Sequence, residues 1–369
     1  MKKVRVGRSQ SGSGLSRREW LYAAAGASAL VPAFARSGFS KAGAGSSLAD
    51  IQLSIGLSGS VRERPIIEGH VKPQGIDLTI TTVGVSELFW RQLNFAEFDV
   101  SEMSCSSFII AVSHGDERFV GIPVFPSRNF FHTRITVREG SGIEKPEDLK
   151  GKRVGVPEYQ QTAALWARFG LQHEYGVTAQ DMDWYMERPP ESSHGGATGF
   201  QPPRGVKFQY IPAGESIVSM LAAGKLDAAF PTFNAGNRPG LRGLFRDRVA
   251  EAGRYYKKTG FFPMNHCIVI KREIAEKHPW AVMNLFNAFQ EAKSLVHQET
   301  QELVGAYFEL DLIPRDRQQA VATDPFPYGM KANRPILEGL TKASFEQGLT
   351  TRIVDLKEVF HPATMEDPA

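Results

Sequence analysis

GIPVFPSRNFFHTRITVREGSGIEKPEDLKGKRVGVPEYQQTAALW, running from Gly121 to Trp166, is the stretch that sets the reading of the fold. Its first part, Phe125 to Arg134, brings Ser127, Arg128, three Phe and His132 into ten residues. Its last part reads as a buried strand (Arg153–Val156), a Pro-bent turn, and a helix opening near Thr162. The turn and helix start carry Glu158, Tyr159, Gln160, Gln161 and Thr162. The first N–H groups of a helix lack intrahelical partners, so a helix start beside a Thr suits a carboxylate. The stretch therefore predicts a strand–turn–helix unit of an α/β domain, with a site for a small anionic, aromatic ligand.

The pattern repeats on both sides. Upstream, strands are expected at Ile51–Leu57, Ile76–Thr82, Phe98–Met103 and Phe119–Val124. Helices at Val61–Glu68, Val85–Leu93 and Ser107–Ser113 alternate with them, and Ser104–Ser107 reads as a polar turn. Downstream, strands are expected at Ile135–Arg138, Asp183–Met186, Val206–Ile211 and Cys267–Ile270. Helices are expected at Thr162–Tyr175, Ser216–Ala223, Pro279–His297, Gln301–Phe308 and Arg334–Gln347. Such alternation is the signature of an α/β fold. The economical architecture is two lobes joined by two crossings, near Phe130–Ile135 and Tyr256–Asn265. Lobe one takes residues 49–130 plus 264–369, and lobe two takes residues 131–263. Ligands of such folds sit between the lobes, at strand ends and helix starts. Pro189–Gly205, with four Pro and four Gly in 17 residues, reads as a long surface loop outside the core.

The chain has 369 residues, 42% apolar and 22% charged, as in globular proteins. Residues 1–35 read as a leader: a basic start, Arg17-Arg18 in a twin-arginine pattern, an apolar run, and an Ala33-Phe34-Ala35 cleavage site. This implies export to the periplasm by the twin-arginine (Tat) machinery. Residues 36–48 form a Gly/Ser/Ala linker. The leader holds six Lys/Arg and one Glu, so the remaining chain carries about −2 rather than the formal +3 (+3 − 5). Nucleic-acid binding loses its support. Cys105 and Cys267 are the only cysteines, open either to pairing or to burial as thiols. There is no G-x-G-x-x-G, P-loop, G-x-S-x-G or close metal-ligand spacing, and no metal or organic cofactor is expected.

IIEGHVKPQGIDL, FDVSEMSCSSF, FPSRNFFH, DLKGKRVGVPEYQQTAALW, YYKKTGFFPMNH and DPFPYGMKANR, in this order, resemble the 4,5-dihydroxyphthalate decarboxylase family. That family has the type II periplasmic-binding-protein fold and is similar to solute-binding proteins of ABC transporters. The resemblance implies a cofactor-free decarboxylation of a hydroxylated benzene dicarboxylate in the interlobe cleft. Matching positions are Arg128 and His132, then Glu158, Tyr159 and Thr162, then His266, then Tyr328 and Arg334. Two positions depart from the family: Ser60-Val61-Arg62 keeps only the Arg of a Tyr-Asp-Arg motif, and Phe131 replaces an Arg before the motif His.

Each candidate has two readings. Arg128 forks onto a ligand carboxylate, or pairs with an acid such as Glu158 or Asp99. His132 and His266 are the candidate proton donors to the ring carbon that loses CO₂, or else hinge histidines. His266 and Cys267 should face opposite ways. Arg62, Ser106, Tyr159, Thr162 and Tyr328 complete the expected binding set, and Trp166 is expected in the core. Two functions follow: a decarboxylase acting on a small aromatic carboxylate, or an exported binding protein that hands such a ligand to an ABC transporter permease.

Overall fold

The computed structural model describes residues 51–230 and 238–366, apart from the side chains of Ala320 and Val321. The expected leader (1–35) and linker (36–48) lie outside the described residues. Two twisted sheets organise the remainder. The first has the order β2-β1-β3-β11-β4, from Ile76–Thr82, Ile51–Leu57, Val100–Ser104, His266–Lys271 and Phe119–Ile122. The second has the order β10-β5-β9-β6-β7-β8. Its strands are Leu241–Gly243, Thr136–Arg138, Ala228–Ala229, Arg153–Val156, Asp183–Met186 and Lys207–Tyr210. Each sheet receives one strand just after a crossing, and it enters antiparallel: β5 beside β9 and β10, and β11 between β3 and β4.

The helices in chain order are α1 (Arg64–Ile67), α2 (Val85–Phe95), α3 (Cys105–Ser113), α4 (Thr162–Tyr175) and α5 (Ile217–Ala222). They continue with α6 (Arg248–Thr259), α7 (Arg272–Lys277), α8 (Pro279–Glu309), α9 (Gln318–Ala322), α10 (Met330–Glu346) and α11 (Leu356–Val359). In α4, Thr162, Ala164, Leu165, Trp166, Ala167, Arg168, Gly170 and Leu171 are buried, so the first two and a half turns are covered on most sides and only the last turn reaches the surface. The helix stops where Gly176, at φ 63°, takes the left-handed conformation and its N–H returns to the Gln172 carbonyl.

Three expectations change. The Ser104–Ser107 turn is the first turn of α3: Ser104 is its N-cap and accepts from the Ser107 N–H at 3.4 Å. The two helices expected at 279–297 and 301–308 are one helix of 31 residues. No Gly or Pro interrupts His297–Gln301, so its polar residues ride the exposed side without ending the helix. The second crossing is preceded by α6, capped by Asp247 accepting from the Ala250 N–H at 2.8 Å and unread in the sequence.

The two crossings run side by side. Arg128 bridges Met264 antiparallel. Asn265 N–H donates to the Ser127 carbonyl at 2.8 Å, and Asn129 N–H to the Pro263 carbonyl at 3.1 Å. Phe130 and Phe262 stack at 4.8 Å. The pair forms a hydrogen-bonded ribbon, a natural hinge. Trp166 sits behind it in the core, its indole N–H donating to the Met264 carbonyl at 3.0 Å. Cys105 and Cys267 are buried free thiols. None of the described helices is long and apolar enough to cross a membrane.

Candidate active site in the interlobe cleft

The start of α4 faces the ends of β3 and β11 across a cavity of about 110 Å³. Val85, Ser86 and Phe89 of α2, together with Ser104, Asn265 and His266, form one wall. Gln161, Thr162, Ala163, Arg188 and His194 form the other.

Strand register builds the chemical centre. β11 runs antiparallel to β3 with His266 opposite Ser104 and Ile268 opposite Glu102. His266 and Glu102 are thus diagonal neighbours on one face of the sheet. His266 Nδ1 lies 2.6 Å from Glu102 Oε1. Burial opposes ionisation of Glu102, but the His266 charge and hydrogen bond, with the Ser58 N–H and hydroxyl, hold its carboxyl below the usual range. An ionised carboxylate only accepts, so Nδ1 carries the proton toward it. Nε2 takes no partner among the described residues, and the imidazole borders the cavity. The Phe89 ring meets the imidazole edge-on at 4.8 Å. Below, Glu63 is pushed well above the carboxylate range by its burial and by the charge on Glu102.

Opposite stands an anion-friendly surface. Ala164 and Leu165 both return their N–H groups to the Gln161 carbonyl at 3.0 Å. The N–H groups of Thr162 and Ala163 carry no partner among the described residues, and no side chain caps the helix. Arg188 adds a cation. Its Nη1 is 3.0 Å from Glu158 Oε2, and its Nη2 donates to Ser86 Oγ across the cleft.

The lobes are latched around this cavity. Ser104 and Thr162 hydroxyls meet at 2.9 Å, and the Ser106 N–H donates to Thr162 Oγ1 at 2.9 Å. His194 Nδ1 meets Ser107 Oγ at 2.9 Å, and His114 Nδ1 meets the Thr198 carbonyl at 2.6 Å. The last two contacts come from the loop expected on the surface. Ser193, His194 and Thr198 are buried instead, because the loop folds over α3. Burial, with help from the nearby Arg188 and His266 charges, pushes the His194 imidazole down to about 3. The unfolded chain then binds a proton that the folded chain refuses between about pH 6.5 and 3, so stability falls as pH drops through that window. Relative to His194→Asn, the wild type should lose up to about 1.4 kcal/mol per pH unit there. Urea unfolding of both proteins across the window checks this, and parallel curves would refute it.

Of the sequence-predicted residues, His266 and Thr162 line the cavity. The others lie elsewhere. His132 is 2% exposed inside lobe two, its Nε2 3.0 Å from Glu251 Oε1. A Cβ on Gly170 would sit 3.1 Å from it. Glu251 is opposed by burial but held down to about 2 by Arg254, His132 and the Tyr175 hydroxyl. This histidine is packed and hydrogen-bonded inside its own lobe, away from the cavity where a proton donor was expected. Phe131, one residue earlier, is core.

Arg128 is turned into the hinge. It donates to the Phe262 and Pro327 carbonyls at 2.8 and 2.9 Å and to Asn333 Oδ1. Burial lowers its guanidinium to about 10. Its partners are neutral oxygens rather than Glu158 or Asp99. Tyr159 is fully buried among Trp184, Phe200 and Phe208, and Ser106 lies behind the latch with its hydroxyl unpartnered. Arg62 donates to the Pro126 carbonyl at 2.8 Å and lies 3.7 Å over the Phe326 ring. Buried Tyr328, whose hydroxyl is pushed up by desolvation, lies within its electrostatic reach. These two belong to the floor of lobe one rather than to the cavity wall.

Arg188, His194, Glu102 and Ser86 escaped the sequence reading. Glu102 had a signal: a carboxylate within the otherwise buried strand VSEMS. His194 had none, since it comes from a Pro/Gly-rich segment whose burial depends on the opposite lobe, and Arg188 had none, since it sits just past β7, where its N–H donates to the Pro157 carbonyl at 3.1 Å. Among the described residues no group of three His, Cys, Asp or Glu side chains is arranged to hold a metal ion.

Residues 72–293 match the family described as the ABC transporter, phosphonate, periplasmic substrate-binding protein. The 4,5-dihydroxyphthalate decarboxylase of Comamonas testosteroni is 32% identical over 86% of this chain and 99% of its own. That of Pseudomonas putida is 35% identical over 57% of this chain and 83% of its own. The periplasmic aliphatic sulphonate-binding protein of Escherichia coli superposes with a TM-score of 0.53 at 16% identity, covering 86% of this chain and 100% of that one. That likeness extends to the fold, a two-lobed type II binding-protein architecture. The chain thus belongs to the 4,5-dihydroxyphthalate decarboxylase family, built on the fold of periplasmic substrate-binding proteins.

Proposed function

We propose that the protein is a carboxy-lyase that binds a small hydroxylated aromatic carboxylate in the interlobe cavity and releases CO₂. The observation that carries this reading is the placement of the His266–Glu102 pair opposite the open N–H groups of α4 and Arg188. A carboxylate held at the helix start gains from the dipole and from the cation. His266 Nε2 then gives a proton to the carboxylated ring carbon, while a para hydroxyl feeds electrons into the ring. The bond to the carboxylate breaks, its electron pair restores aromaticity, and CO₂ leaves. Glu102 stabilises the imidazolium before the transfer.

A cavity of roughly 150 Å³ holds a benzene ring, more than the 110 Å³ found here. Loading therefore requires the lobes to part at the Ser86–Arg188 and Ser107–His194 contacts, with the crossings as hinge. Incubation of the leader-free chain with 4,5-dihydroxyphthalate and a panel of hydroxybenzoates, following CO₂ and thermal stability together, tests the reading. Stabilisation without turnover would refute catalysis.

That outcome would favour the second reading, an exported protein that delivers a small carboxylate to an ABC transporter permease. Its support is the Arg17-Arg18 leader together with the family match to periplasmic substrate-binding proteins. We place the protein in the periplasm by twin-arginine export on the same grounds, and cell fractionation of the wild type against an Arg17→Lys, Arg18→Lys chain decides it.

A further inference from the structure

Arg168 presents an unbalanced charge in the interior, away from the cleft. It lies in the buried part of α4 and is 1% exposed. Its Nε donates to Gln347 Oε1 at 2.7 Å, and the Gln347 amide is in turn spent on the Leu165 carbonyl at 3.0 Å. The guanidinium lies over the Tyr159 ring, with Cζ 3.9 Å from its centroid, and 5.5 Å from that of Trp184. Both terminal nitrogens, Nη1 and Nη2, are buried without an acceptor among the described residues. No carboxylate among the described residues pairs with it.

The surroundings share a chemical sign. The Tyr159 hydroxyl, at the edge of the ring that Arg168 covers, is buried and unpartnered. So are the hydroxyls of Ser344 and Thr350, which belong to the turn carrying Gln347: the Thr350 N–H returns to the Ser344 carbonyl at 3.4 Å. The face of an aromatic ring offsets a cation by only a few kcal/mol, whereas an unpaired buried charge costs far more. The Arg168 terminal N–H groups and these three hydroxyls have no partner among the described residues, and the unpaired positive charge calls for a negative one. Since Arg168 supplies one positive charge, a single negative one balances it.

We propose that Arg168 holds a small monovalent inorganic anion of halide size, against the Tyr159 hydroxyl and the Ser344–Thr350 turn. The site joins α4, whose start forms one wall of the cleft, to the end of α10. The anion cements the two helices and keeps the α4 start in place. This is independent of the reaction assigned to the cleft, since a binding protein needs the same fixed helix.

The leader-free chain is unfolded thermally in sodium chloride against sodium gluconate at constant ionic strength. Chloride is expected to raise Tm saturably, by several degrees, through mass action on the folded state. Arg168→Met is expected to lower Tm and to lose the chloride dependence. Equal chloride dependence in both proteins would overturn the site. If Arg168→Met fails to fold, or if chloride stays bound through dialysis, crystals of the wild type grown in bromide decide it. An anomalous peak within about 3.5 Å of Nη1 or Nη2 supports the site. An ordered water without anomalous signal, or a planar organic carboxylate, overturns it.

Discussion

His266→Asn should reduce CO₂ release by about 10²–10⁴-fold, the usual contribution of a general acid, while ligand-induced thermal stabilisation stays within a few-fold of the wild type. The separation follows from where the two jobs sit. In the proposed mechanism anion binding uses Arg188 and the α4 N–H groups, whereas the proton comes from His266 on the opposite wall. Asn retains an amide near the Nδ1 position, so Glu102 keeps a donor and the sheet keeps its packing. Loss of binding together with turnover would move His266 from proton donor to ligand anchor. Full activity in the variant would refute the mechanism. His132→Asn serves as the contrast: its loss should appear as lowered stability, because its partner is the buried Glu251 rather than the cavity.

Arg188→Gln should raise KM by about 10- to 150-fold with a smaller change in kcat, the effect of losing a charge-assisted hydrogen bond worth about 1.5–3 kcal/mol. The substitution also removes the cation from Glu158, which is fully buried and receives the Ser193 hydroxyl as well. Burial already raises the Glu158 carboxyl, against the pull of Ser193, Arg188 and Gln160, so without Arg188 it should take up a proton and stay folded. The double variant Arg188→Gln, Glu158→Gln separates the terms. If KM remains high once the buried acid is neutral, Arg188 binds substrate directly. If KM returns toward the wild-type value, its role is to balance Glu158. Arg188 also donates to Ser86 across the cleft, so Ser86→Ala, which breaks that latch alone, should leave KM within a few-fold.

The legible part of the site was the part encoded locally. A strand ending at Val156, a turn, and a helix from Thr162 to Tyr175 closed by Gly176 follow from apolar spacing and a glycine stop, and those bounds are the ones observed. The opposed facing of His266 and Cys267 follows from strand alternation: the imidazole borders the cavity while the thiol lies in the core. Family motifs drew the eye to Arg128 and His132, but a motif records that a residue matters without saying to what. Arg128 ties the crossing to the Pro327 loop and Asn333, and His132 props lobe two through Glu251.

By itself the sequence determined the α/β alternation, the two-lobed plan and the family, because periodicity, turn residues and ordered motifs are properties of neighbours along the chain. Only the tertiary structure decided the composition of the cavity. Glu102 meets His266 through the register of two strands more than 160 residues apart in sequence. His194 reaches the cleft because a Pro/Gly-rich loop packs onto the other lobe, and Arg188 because the pairing of β7 with β6 carries it to the start of that loop. Arg168 stands without a carboxylate partner among the described residues because its helix is buried by packing on most sides. Such pairings are fixed by packing between distant segments, a long-range quantity on which local spacing carries no information.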